Sequence, residues 1–164
     1  MTSEWITLLA ADERKRDDER SRIADVAARK ADLVRLQGRQ LIDELRTAVM
    51  RDLDAFRSEF PADAAREMTF EAVPPDGGFV IRKQAYPIAA LSVTPHLPSG
   101  SVTCEYRFTP ANGLPPREDR IEFLLTGNGG DTLLIKHPGT GQVFTNADSL
   151  SEFLLVPVLT GRPR

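Results

Sequence analysis

Cysteine occurs once in the 164 residues, tryptophan once and tyrosine twice, and neither sign of charge dominates: 24 acidic side chains stand against 21 basic ones, for a formal charge of −3. A lone Cys104 cannot close an intrachain disulfide, so no cross-linked framework holds this chain together. No apolar run reaches the length of a membrane span. Without an excess of basic residues the chain lacks the electrostatic footing for phosphate backbones, and no nucleic-acid partner is expected. Disorder is excluded in turn by a hydrophobic content of 41%, enough to build one core in a chain of this length. The first residues lack the basic start and unbroken apolar stretch of a secretory signal, which places the expected location in the cytoplasm.

Glycine and proline are scarce in one part only. Residues 1–60 contain no proline and one glycine, Gly38, whereas the remaining 104 residues hold all 12 prolines and the other 10 glycines. Charge divides the same way, with 25 of the 45 acidic and basic side chains in the first 60 residues. The first part reads as helix and the second as short strands joined by turns. The expected organisation is a helical arm over residues 1–60 and an antiparallel sheet domain over residues 61–164.

Within the arm, ten of the eleven residues from 12 to 22 are charged and none is apolar. Opposite charges four apart, as at Asp12/Arg16 and Lys15/Glu19, support a solvated helix by ~0.2–0.5 kcal/mol each. This stretch has nothing to bury. Upstream, Trp5, Leu8 and Leu9 form a short apolar face that either staples onto the same molecule or offers a docking patch, for which tryptophan is well suited. From residue 23 to 60 the apolar positions follow a helical period: Ile23, Val34, Leu45 and Phe56 lie eleven apart, a spacing of 3.67 residues per turn that barely rotates around a straight helix. Such a stripe can lie on the chain's own sheet or pair with another chain.

An unbroken helix over residues 12–60 would extend ~70 Å, against a radius of gyration of ~15 Å for a compact chain of this size. Part of it must overhang, bend or find a partner. Gly38 marks either a break or a close backbone approach. Pro61 ends the helix, because a residue before proline is driven out of the α region.

Residues 61–164 read as a meander of six or seven antiparallel strands. Residues 68–72 alternate apolar and polar, and Pro74, Pro75 and Gly77 turn the chain into residues 79–81. Further strands are expected at 86–93, 101–108, 120–126, 132–136 and 142–144, with a glycine-rich turn at 127–130. In the fourth of these, Val102, Cys104, Tyr106 and Phe108 share one face while Thr103, Glu105 and Arg107 share the other, the mark of a sheet with one buried and one wet face. Asn146 reads as an N-cap, with Ser149 and Glu152 as a capping box one turn later, for a short helix stopping before Pro157. The fold class is α+β: a long amphipathic helix, the meander, and a short terminal helix, both helices on the apolar sheet face.

No catalytic constellation emerges. Cys104 falls on the inward face, where a thiol has neither exposure nor a positive neighbour. His96 and His137 stand in turns without Cys or carboxylate at ligand spacing, so no metal and no cofactor is expected. Glu105 and Glu122 fall on the wet face, where pairing with Arg107 and Arg120 is the ordinary outcome. The sequence therefore points to a non-enzymatic interaction or assembly module, binding a protein partner or a second copy through Trp5, Leu8, Leu9, Ile23, Val34, Leu45 and Phe56. The alternative is a sensor domain holding a small apolar ligand between sheet and helix, lined by Phe70, Ile81, Tyr106 and Phe123.

Overall fold

The computed structural model describes residues 3–128 and 131–164. Two residues of the glycine-rich turn, Gly129 and Gly130, lie outside the described residues. Helix α1 (Glu4–Glu59) is followed by seven strands, β1 (Met68–Val73), β2 (Gly78–Lys83), β3 (Ile88–His96), β4 (Ser101–Thr109), β5 (Arg117–Gly127), β6 (Leu133–Lys136) and β7 (Val143–Phe144), and by helix α2 (Ala147–Thr160). The α+β class, the meander and both helices stand as the sequence implies. The strands form one antiparallel sheet in chain order from β1 to β7.

Alternation sets the two faces. Register pairs such as Phe79 with Val93, Leu91 with Tyr106, and Cys104 with Ile121 put large side chains opposite one another on the inner face. Phe79, Ile81, Leu91, Phe123 and Leu125 are fully buried there, each worth about 1.5–3 kcal/mol in apolar area removed from water. The helices cover this face. Ile42, Leu45, Val49 and Leu53 of α1 and Leu150, Leu154, Leu155 and Val158 of α2 close the same core. The second half of α1 thus belongs to the core of the sheet, and the change in composition near Pro61 is a change of secondary structure within one packed unit.

Two local expectations are altered. Gly38 does not break α1, which is continuous through it; a Cβ there would stand 3.1 Å from Leu97 Cδ2, so the glycine serves a close approach to the 3-10 turn Leu97–Ser99. Helix α2 does not stop before Pro157 but runs through it to Thr160. Proline deprives the carbonyl four residues back of its donor. That carbonyl, on Phe153, accepts instead from the Arg164 guanidinium, which also lies 3.8 Å over the Phe153 ring. Asn146 caps α2 as expected, its Oδ1 accepting from the Ser149 amide at 2.8 Å. Ser149 is spent inside this cap, its hydroxyl donating to the Asn146 carbonyl, and does not open a second one.

Candidate functional site

Helix α1 has 56 residues, about 84 Å at 1.5 Å per residue. Its polar side chains tie its second half to the sheet domain. Gln37 donates to the Asp131 carbonyl and accepts from the Leu133 amide, Arg39 donates to the Pro75 carbonyl, and Asp52 accepts from Ser151 Oγ at 2.7 Å. Toward the N-terminus of these ties, Ala27 borders a crevice with Leu97 and Pro98, Lys30 Cε would lie 3.6 Å from a Cβ on Gly100, Leu33 stands near Gly127, and Val34 is the first buried residue of the helix.

Before Ala27 the helix stands clear of the sheet domain. The hydrogen bonds described for side chains in this stretch are ion pairs within the helix, Arg16 to Glu13, Arg20 to Asp17 and Arg22 to Glu19, spaced three apart. The four-apart partners read from the sequence are displaced by these three-apart ones, which the same helical surface makes equally accessible. The apolar residues here have no cover: Trp5 is 65% exposed, Leu8 62%, Leu9 51% and Ile23 58%, with Ile6 and Val26 exposed as well. Steps of three and four residues place Ile6, Leu9, Ala24, Ala27 and Ala31 on the helix face that continues as Val34, Gly38 and Leu45. The side of α1 that seals the core therefore extends beyond the sheet as an open surface. Where overhang and sheet domain meet, Ala27, Ala31 and Val34 form a crevice of about 630 Å³ with Leu97, Pro98 and Gly100.

The structure divides the interface residues expected from the sequence. Trp5, Leu8, Leu9 and Ile23 lie on the free overhang; Val34 and Leu45 are buried against the chain's own sheet, and Phe56 is half-buried with its ring 5.2 Å from Phe60. Sequence reasoning did not single out Ile6, Val26 or the crevice. The first two follow the same helical period, but the crevice depends on Leu97, which only the tertiary fold brings to α1.

The residues read as a ligand lining are core side chains occupied with their neighbours. Ile81 and Phe123 are fully buried and Tyr106 nearly so. Phe70 stacks on Phe79, Phe123 meets Phe144 and Phe153 edge-on, and Tyr106 donates its hydroxyl to the Leu154 carbonyl at 2.7 Å. Burial pushes the Tyr106 hydroxyl and the Cys104 thiol well above their ordinary pKa values, which keeps both protonated. His137 is built into its own turn, its Nδ1 accepting from the Gly139 and Thr140 amides.

The outer sheet face carries cross-strand pairs, Arg82 with Glu71 at 2.8 Å, Arg107 with Glu118 at 3.2 Å and Arg120 with Glu105 at 4.0 Å. They flank an open depression of about 690 Å³ floored by Val80, Ala90 and Ser92. All six charged side chains are solvated. Among the described residues, no group of three or more His, Cys, Asp or Glu is placed to hold a metal ion, and no helix is long and apolar enough to cross a membrane. Comparison with protein-family models, with curated proteins and with solved structures gives no match.

Proposed function

We propose that this chain is a non-enzymatic interaction or assembly module whose working surface is the overhanging part of α1, acting through self-association or through a protein partner. The observation that carries this reading is the continuity of one helix face, sealed by the sheet from Val34 onward and open at Ile6, Leu9, Ala24 and Ala27. Exposed apolar side chains clustered at the two ends of a helical overhang suit an interface, and the aromatic anchor Trp5 stands at its far end.

A photo-activated cross-linking side chain placed at Leu9 of the full chain in living cells tests the reading against the same substitution at Glu122 on the outer sheet face. A discrete adduct, with a second copy or with another protein, is expected from position 9 and not from position 122. Adducts absent from position 9, or equally abundant from both, would count against it.

A further inference from the structure

The centre of the overhang carries an alternating charge pattern. Glu13, Arg16, Asp17 and Arg20 stand at spacings of three, one and three residues, which puts all four on the face shared by Leu9 and Ala24. Along the helix their signs run minus, plus, minus, plus. Turned end for end, the same face reads plus, minus, plus, minus. Two copies laid antiparallel therefore place Glu13 opposite Arg20 and Arg16 opposite Asp17, each contact occurring twice about a two-fold axis between residues 16 and 17. Two copies laid parallel and in register place like charge on like. The ion pairs within each helix, Glu13 with Arg16 at 2.9 Å and Asp17 with Arg20 at 3.3 Å, already hold these side chains in one row.

The extent of the overhang is compatible with this centre. The helix begins at Glu4, and Ala27 and Lys30 are its first residues beside the sheet domain, so a centre between residues 16 and 17 lies close to the middle of the uncovered stretch. Paired about that point, the two overhangs cover each other over about 39 Å, and each N-terminus arrives where its partner's sheet domain begins. Bulky residues come level with small ones, Leu9 with Ala24 and Ile6 with Ala27. Helical side chains lean toward their own N-terminus, which aims Trp5 at the crevice formed by Ala27, Ala31, Val34 and Leu97.

We infer that the overhang of α1 pairs with the overhang of a second copy of this chain, antiparallel and two-fold symmetric about a point between Arg16 and Asp17, with Trp5 of each copy seated in the other's crevice. This rests on the reading of the overhang as an interaction surface and names its partner. Symmetry of this kind closes the assembly at two copies, because each surface patch contacts itself. The exposed charges set orientation and are screened by salt, while the apolar ends supply affinity.

The test uses the full chain in sedimentation equilibrium. Glu13→Arg with Asp17→Arg makes the row wholly positive, and Arg16→Glu with Arg20→Glu makes it wholly negative. Each double variant is expected to weaken self-association at least tenfold, and an equimolar mixture of the two to restore a dimer; because every substituted side chain is solvated, that restoration also shows that both variants are folded. Orientation is read by oxidative cross-linking. Leu9→Cys alone is expected to give no disulfide-linked dimer, and Leu9→Cys with Ala24→Cys to give one. A linked dimer from Leu9→Cys alone, or wild-type association unchanged in both charge variants, overturns the inference. A monomeric wild type with a solvent-exposed Trp5 overturns self-pairing while leaving the overhang open to another protein. A monomer with a shielded Trp5 overturns both readings, since the overhang is then covered within one molecule.

Discussion

Lys83 points onto the inner face of the sheet and is 4% exposed, yet its ammonium group donates to two carbonyls, Ala85 at 2.9 Å and Pro87 at 3.0 Å, and not to a carboxylate. Burial, with the nearby charge of Arg66, lowers its pKa below the usual lysine value of 10.5. Between the folded value and 10.5 the unfolded chain binds the proton more readily, so stability rises with pH through that window, and the desolvation cost is fully present at neutral pH. Urea unfolding at neutral and at alkaline pH checks this: Lys83→Met should remove that upward contribution relative to wild type, and an identical pH profile in the two proteins would contradict it. Gly161 is a second position where one residue carries a constraint. It ends α2 at φ 67°, and a Cβ there would lie 2.6 Å from the Pro87 carbonyl oxygen. The left-handed backbone alone costs an L-residue about 1–2 kcal/mol, and the contact with backbone cannot be relieved by a rotamer change. Gly161→Ala should therefore lose more than that in chemical denaturation.

At the scale of elements, α1 is one helix under two regimes. Its second half draws stability from the core, whereas residues 4–29 rest on helix propensity and on exposed ion pairs, and isolated helices of that kind are marginal in water. Amide exchange should show the contrast directly. Peptides from residues 4–29 of the monomer should exchange far faster than peptides from residues 42–53, and their protection should increase on association. Gly38 is the mildest irregularity on the helix. Ala is favoured over Gly by about 1 kcal/mol in a helix interior, and the atom that a new Cβ would meet, Leu97 Cδ2 at 3.1 Å, is the tip of a half-buried side chain able to shift. Gly38→Ala should raise the denaturation midpoint by an amount equivalent to less than about 1 kcal/mol, and a loss of stability would show that Leu97 is held rigidly.

These elements also show what a sequence makes legible. The helix, the strands and the Asn146 cap are written in local period and turn chemistry, and so are Trp5, Leu8, Leu9 and Ile23 as apolar residues on a helix. The continuation of α2 through Pro157 was not, because it depends on Arg164 returning to the orphaned Phe153 carbonyl. Nor was the division of the eleven-residue stripe. Val34 and Leu45 differ from Ile23 in nothing local; where the sheet ends decides which of them is covered, and that is a property of the whole fold.

The whole molecule is thus a two-layer body, helices on a seven-stranded sheet, with a helical extension that the body does not cover. Its near-zero net charge conceals a row of alternating signs at the centre of that extension. In the proposed dimer the overhang is covered by a second copy, and the single tryptophan, Trp5, lies at the end of that surface. Its fluorescence in the intact wild-type chain, followed on serial dilution together with the sedimenting mass, tests the claim most directly. A blue-shifted, quencher-resistant emission in the dimer that moves to the red as the mass falls to that of one chain is predicted. A monomer at every concentration, or a dimer whose Trp5 emission stays red and accessible to quencher throughout, would contradict it.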